Sequence, residues 1–122
     1  VVLVGSGVLL NRVIDAGEQL AEEGIKATVI NNPFINHVDT ETIGNAVKAA
    51  SGRLVTIEDH QIIGGMGAQL SHALSNVGIS HSIKTLGIAG EFGQSAYKAD
   101  QLYDKYGLNV AGVKTAAKEL LA

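Results

Sequence analysis

The sequence contains no cysteine and no tryptophan, and it has only one proline, two phenylalanines and three tyrosines. Without cysteine, the chain can form neither a disulfide framework nor a thiolate metal site, and this absence fits a reducing, cytoplasmic compartment. Because aromatic side chains are so few, the hydrophobic core must be built from Val, Ile, Leu and Ala. No apolar run approaches the roughly 20 residues of a transmembrane helix, and no signal peptide is recognisable.

Positive charge is also scarce, since 9 Lys and Arg residues stand against 12 Asp and Glu residues and give a formal net charge of -3. The basic residues form no stripe. We therefore expect no nucleic acid and no anionic membrane surface as partner, because both require clustered cations. Apolar residues make up 46% of the 122 residues. This length and composition predict one domain with its own core over residues 1–122.

Four short β-branched runs predict strands at residues 1–4, 26–30, 53–57 and 82–86. Each run is almost continuously apolar, which is typical of parallel strands covered on both faces. Amphipathic helical patterns lie between the runs, and two further helical patterns close the chain. This alternation predicts a three-layer α/β/α fold with a mainly parallel sheet of four strands in the order 2-1-3-4.

Candidate caps mark the ends of the predicted helices. Asp39 and Asn109 are predicted N-caps, and glycines at positions 24, 52, 78 and 107 follow helical patterns as stops. The third helix, at about residues 67–77, is expected to bury Leu70, Leu74 and Val77 against the sheet. The fourth helix is predicted at about residues 96–106, and the last helix follows Asn109.

Two glycine-containing connections follow neighbouring strands of the predicted sheet. Residues 5–7 follow the first strand, and residues 58–67 follow the third. In the order 2-1-3-4 these connections leave in opposite directions, which creates the usual ligand crevice of an open α/β sheet. The candidate residues of a small-anion site in this crevice are Gly5, Ser6, Gly7, Glu58, His60, Gly64 and Gly65.

Both connections also have a purely structural interpretation as tight turns. A dinucleotide-binding fingerprint requires a third glycine at position 10, where the chain has Leu10, and the second connection lacks the Lys-Ser/Thr ending of a P-loop. Glu58 and Asp59 are neighbours on an extended strand, so their side chains point to opposite faces and do not form an acid-base pair on one substrate. One of the two can instead accept hydrogen bonds from nearby backbone N–H groups.

The four histidines are not spaced as a metal site. His37, His60, His72 and His81 include no pair at the i, i+4 spacing of two ligands on one helix. We therefore interpret them as surface or loop residues and expect no metal site. His60 could act as a base, but no orienting partner is evident beside it.

Two of the five aromatic residues fall in residues 91–98, the segment that leads into the fourth predicted helix. Phe92 and Tyr97 are candidate interface residues, because an exposed aromatic side chain in a loop often anchors a contact between proteins. The alternative is that both rings pack onto the edge of the sheet.

Several stretches together resemble the C-terminal domain of transketolase. The most recognisable stretch is residues 54–60, Leu-Val-Thr-Ile-Glu-Asp-His, followed by Gly-Gly-Met-Gly at residues 64–67. Residues 2–7, 32–39, 86–95 and 102–108 also resemble family stretches, in the family's order. Two departures fall in loops: Ala89-Gly90 replaces the usual Pro-Asp, and His37 stands where Pro is common.

The resemblance implies a place within a larger enzyme. The family's sheet has a further antiparallel first strand, which would precede Val1, so the sequence is expected to be a piece of a longer chain. The family binds thiamine diphosphate and a divalent metal, Mg, between upstream domains of a dimer. The resemblance therefore implies no catalytic, cofactor-binding or metal-binding residue in this chain. It implies an assembly and dimer-contact role, with a regulatory role also open, in ketol transfer between sugar phosphates of the pentose phosphate pathway.

Two alternatives to a transketolase domain remain open. The matching domain of deoxyxylulose phosphate synthase, or of a 2-oxo acid dehydrogenase β subunit, shares the acidic strand end and the glycine-rich turn. A free-standing flavodoxin-like module would instead use the crevice between residues 5–7 and 58–65 to bind an anion.

Overall fold

A computed structural model describes residues 1–32, 37–89 and 99–122 of the chain. Its strands are β1 (Val2–Gly5), β2 (Thr28–Asn31), β3 (Arg53–Gln61) and β4 (Ser82–Ile88). Its helices are α1 (Leu10–Glu22), α2 (Thr40–Ala49), α3 (Met66–Asn76), α4 (Ala99–Lys105) and α5 (Val110–Leu121). A single 3-10 turn at Gly7–Leu9 leads from β1 into α1.

The four strands form a parallel sheet in the order β2-β1-β3-β4, which confirms the predicted topology. β3 runs beyond its neighbour β1, because Gly5 at the end of β1 pairs with Ile57, whereas β3 continues to Gln61. The register between β3 and β4 shifts between Ile57 and Gln61. Residues 58–60 therefore leave the regular ladder at the carboxyl end of the sheet, where irregular pairing can redirect a side chain.

Two hydrophobic clusters cover the two faces of the sheet, which confirms the three-layer prediction. On one face, α1 and α5 pack on the strands, and the cluster includes Leu3, Leu9, Val13, Leu20, Val55, Ile57, Val113 and Ala117. On the other face, α2 and α3 pack on the strands, and the cluster includes Val2, Val4, Ile43, Val47, Leu54, Met66, Leu70 and Leu74. Side chains of β1 and β3 alternate between the two clusters, as the pleat of a strand requires.

Both predicted N-caps are confirmed. The Asp39 carboxylate accepts a hydrogen bond from the backbone N–H of Thr42 at 3.0 Å, and the Asn109 side-chain oxygen accepts one from Gly112 at 2.8 Å. Predicted boundaries elsewhere shift by a few residues: β2 begins at Thr28 rather than at residue 26. α4 is described from Ala99, and the predicted start of this helix at residue 96 lies outside the described residues.

The predicted burial of Val77 is wrong, because this side chain is 56% exposed. Val77 is the C-cap residue that follows α3, and Gly78 comes next with a φ of +79°. The chain thereby reverses direction, and the backbone N–H of Ile79 donates to the carbonyl oxygen of Leu74 at 2.9 Å. In this type of helix ending the residue after the glycine takes the apolar contact, and Ile79 accordingly is buried in the place predicted for Val77.

Candidate functional site

No side-chain capping hydrogen bond stabilises the turn that connects β1 to α1. Ser6 is extended, with a φ of -147°, and its side chain makes no capping hydrogen bond. Gly7 adopts a φ of +58°, a conformation that favours glycine. A Cβ atom on Gly5 would lie 2.6 Å from Cγ2 of Val13, so the absence of a side chain lets α1 pack closely on the end of β1.

The connection from β3 to α3 is organised by a buried carboxylate. Glu58 is only 1% exposed, and its two oxygens accept hydrogen bonds from the backbone N–H groups of Met66 and Gly67, each at 2.8 Å. These two residues form the first turn of α3, whose N–H groups have no partner within the helix. Glu58 therefore caps α3 from the neighbouring strand, where the helix dipole also favours a negative charge.

Glycines provide the space that this carboxylate occupies. A Cβ atom on Gly65 would overlap Oε1 of Glu58 and would lie 2.5 Å from the carbonyl oxygen of Gln61. On β4, a Cβ atom on Gly87 would lie 2.9 Å from the carbonyl oxygen of His60 and 3.2 Å from Cγ of Glu58. The Glu58 side chain can reach the amides of α3 because both neighbouring backbones approach it without side chains.

Asp59 and His60 point away from this buried centre. Their side chains are 40% and 51% exposed, and His60 Nε2 lies 3.4 Å from Asp59 Oδ1. The contrast with buried Glu58 confirms that the two neighbouring carboxylates do not share one site. His60, Gly64 and Gly65 line a shallow cleft of about 340 Å³ together with Gln61 and Ile63.

The structure thus brings some of the candidate crevice residues together and separates others. His60, Gly64 and Gly65 meet in the shallow cleft, and Glu58 lies beneath it. Gly5, Ser6 and Gly7 do not contribute to the lining of that cleft. The small-anion site therefore stays a prediction. The amides of Met66 and Gly67, at the start of α3, already donate hydrogen bonds to Glu58.

A larger cleft, of about 590 Å³, lies between the end of β2 and the start of α2 and was not predicted from the sequence. Asn32 lines it, is buried, and has an Nδ2 atom for which the described residues offer no hydrogen-bond partner. Asp39 also lines it, and the backbone N–H and hydroxyl of Thr42 lower the pKa of this carboxyl. Residues 33–36, which connect the two sides of the cleft, lie outside the described residues.

The four histidines are surface or loop residues, as predicted, but His81 is less exposed than the other three. His37, His60 and His72 are exposed, whereas His81 is half-buried and lies 2.7 Å from the Ser71 hydroxyl through its Nε2 atom. The two are ten positions apart in the sequence, and the chain turns between them, so no periodic pattern in the sequence could have paired them. Among residues 1–32, 37–89 and 99–122, no group of three or more His, Asp or Glu side chains is arranged to hold a metal ion.

The candidate interface residues Phe92 and Tyr97 lie outside the described residues. Within the described ranges, no helix combines the length and apolar character that crossing a bilayer requires.

Comparison with known proteins identifies the family. A family model described as the transketolase C-terminal domain matches residues 1–113. The 1-deoxy-D-xylulose-5-phosphate synthase of Heliobacterium modesticaldum is 32% identical over 98% of this chain and 18% of its own length. A putative transketolase C-terminal section of Methanocaldococcus jannaschii is 35% identical over 88% of this chain and 32% of its own length. The chain thus spans less than a third of these relatives.

Solved structures give the same fold. A split-gene transketolase, solved as an inactive beta4 tetramer, superposes with a TM-score of 0.89 and 28% identity over 98% of this chain and 38% of its own. A transketolase from Pichia stipitis, solved with a sugar phosphate, superposes with a TM-score of 0.57 at 20% identity over 98% of this chain and 16% of its own, a likeness in fold alone.

Proposed function

The chain belongs to the transketolase C-terminal domain family, and on this premise we propose that it is a non-catalytic assembly domain of a larger thiamine-diphosphate-dependent enzyme. Its partners in this proposal are the upstream thiamine-binding domains or subunit, and a second copy of the enzyme in a cytoplasmic homodimer. The complete enzyme transfers a two-carbon ketol unit between sugar phosphates in the pentose phosphate pathway. Candidate contacts include Phe92 and Tyr97, and a regulatory role is compatible with the same position.

The observation that carries this proposal is that the N-terminus of α3, at the carboxyl end of the sheet, binds a carboxylate of the chain itself. In open α/β folds this end binds ligands, and a helix N-terminus there commonly binds an anion. In this chain the amides of Met66 and Gly67 bind Glu58 instead. A phosphate would have to displace a buried carboxylate or approach it against charge repulsion, so the segment supports architecture better than anion binding.

The described part of this chain presents no cluster of three or more His, Asp or Glu side chains of the kind that holds a divalent metal. A divalent metal needs several oxygen ligands in one place, and residues 1–32, 37–89 and 99–122 hold no group of three suitable side chains. We therefore derive no step of the reaction through the cofactor from these residues. The proposal assigns cofactor and substrate binding to the rest of the enzyme.

The proposal is tested with the chain purified by itself beside the complete enzyme. We expect the chain to fold but to show no ketol transfer and no heat of binding with thiamine diphosphate in a calorimeter, whereas the complete enzyme shows both. Turnover above background by the isolated chain would contradict the proposal. A saturable heat with phosphate or a sugar phosphate would favour the free-standing anion-binding module instead.

A second candidate function is the corresponding domain of a deoxyxylulose phosphate synthase. It is favoured by relatives of that name, which match at 32% and 33% identity over 98% of this chain. Both candidates assign the same architectural role to the chain and differ in the reaction of the complete enzyme. Assaying that enzyme for 1-deoxy-D-xylulose 5-phosphate formation and for ketol transfer between sugar phosphates distinguishes them, because each candidate predicts only one product.

A further inference from the structure

Ser71 and His81 form a hydrogen-bonded pair on the α3 side of the sheet. Ser71 Oγ, on α3, lies 2.7 Å from Nε2 of His81, which precedes β4. The other ring nitrogen, Nδ1, lies 2.8 Å from the carbonyl oxygen of Ile79. A carbonyl oxygen only accepts, so Nδ1 carries a proton and donates it. In the neutral ring, Nε2 is then the acceptor, and the Ser71 hydroxyl donates to it.

This pair has the arrangement of a serine nucleophile, a general base and a group that orients the base. The orienting group is rigid, because the Ile79 side chain is buried and its N–H is hydrogen-bonded to the carbonyl oxygen of Leu74 at 2.9 Å. The imidazole is therefore held in one tautomer by the ending of α3. A second histidine on the same helix, His72, pairs instead with Asn76 at 3.1 Å and has no hydroxyl to activate.

Ser71 is one of the residues that line an open groove of about 500 Å³ beside α3 and β4. Small residues, Gly67 and Ala68, line the groove next to Ser71 and leave room for a reactant. Ile62 and Ile83 provide apolar walls. The removal of apolar surface from water lowers the free energy. Such a groove therefore suits an aliphatic chain attached to a reactive carbonyl.

We propose that Ser71 is an acylation site that accepts a short aliphatic acyl group from an activated ester. Ser71 Oγ forms a bond to the ester carbonyl carbon, and its proton passes to Nε2 of His81. The bond to the leaving oxygen then breaks, and the leaving group takes the proton from His81. The products are an O-acyl serine, a free alcohol or phenol and a neutral imidazole, so the step needs no oxidant and no further reactant.

The test uses p-nitrophenyl butyrate with the full chain. We expect a stoichiometric burst of p-nitrophenol and a butyryl mass on the peptide that contains Ser71. Ser71→Ala removes the burst. His81→Gln slows it by about a hundredfold, the lower end of what a positioned general base contributes. Ser80→Ala is the matched control, because Ser80 is an exposed serine next to His81 that does not line the groove, and it is expected to leave the burst unchanged.

The residue that carries the butyryl group in the unaltered protein can be identified by mass spectrometry of its peptides. This result tests the proposal even if a variant folds poorly. Label on other residues without label on Ser71 would overturn it, and so would the absence of any burst. An equal rate in folded His81→Gln, verified by circular dichroism, would also overturn it, because Ser71 would then react without its base. The burst and the mapped label are measured without any ketol-transfer assay, so a negative result here leaves the assembly role proposed above untouched.

Discussion

The connections that follow β1 and β3 occupy corresponding places in the fold, yet they are stabilised by different means. The first turns through Ser6 and Gly7 with no side-chain cap on the helical turn it enters. The second buries Glu58 beneath α3 and binds two amides of that helix. Both are glycine-containing turns at the carboxyl end of one sheet, but only the second has a side chain of the strand that caps the following helix.

The comparison shows that glycines in similar turns serve different physical purposes. Gly7 has a positive φ with open space around its Cβ position, so its role is conformational. Gly65 is in the extended region, at a φ of -82°, which any residue can adopt. Its role is spatial, because the Glu58 carboxylate occupies the place of a side chain.

The largest expected effect comes from Gly65→Ala. The new Cβ overlaps Oε1 of Glu58, so the carboxylate must move and lose its hydrogen bonds to α3. We expect a loss of about 4 kcal/mol in the free energy of unfolding, in the range of disrupted buried networks. Gly7→Ala is the matched control and should cost about 1 kcal/mol, from the positive φ alone. Urea unfolding measures both, and equal losses would remove the distinction between the two glycines.

Glu58→Ala tests the buried carboxylate itself. It leaves the N–H groups of Met66 and Gly67 without their acceptor, and we expect a loss of about 3 kcal/mol, since each buried unsatisfied donor costs about 1–3 kcal/mol. Glu58→Gln retains one acceptor oxygen and should lose about half as much. Hydrogen exchange of the Met66 and Gly67 amides provides a local measurement. Exchange that stays as slow as in the parent protein would contradict the capping role.

Asp39 provides a solvent-exposed counterpart of Glu58 at the start of α2. The backbone N–H of Thr42, followed by its hydroxyl, lowers the Asp39 pKa below the ordinary value of 3.8. Because the folded pKa is below the unfolded one, the stabilisation is complete above pH 3.8 and is lost as pH falls through the folded pKa. Asp39→Asn retains a capping oxygen without titrating.

We therefore expect the urea midpoint of the parent protein to fall more steeply than that of Asp39→Asn between neutral pH and about pH 3. Parallel curves for the two proteins would show that the Asp39 carboxylate contributes nothing through its charge.

The smallest expected effect is that of Ser6→Ala. Ser6 stands where a capping serine is common, but its side chain makes no capping hydrogen bond. We expect a change within about 0.5 kcal/mol in the free energy of unfolding, as for surface positions without such a role. A loss as large as that of Glu58→Ala would mean that the two connections are stabilised in the same way after all.

The sequence by itself determined the elements and their order. Hydrophobic periodicity located the strands and helices, and the predicted order 2-1-3-4 is the one observed. Asp39 and Asn109 were recognisable as caps because capping joins residues three positions apart. The elements and their caps are local features, so the types and spacing of neighbouring residues are sufficient to predict them.

Only the tertiary structure decided which polar groups meet. The sequence left open which of Glu58 and Asp59 accepts backbone hydrogen bonds. In the structure Glu58 lies on the α3 face of β3, as Leu54 does, and its carboxylate reaches the amides of that helix. The pairing of Ser71 with His81 and the exchange of Val77 for Ile79 in the core depend on how α3 ends. These contacts join residues through the path of the chain in space, and no repeat along the sequence encodes that path.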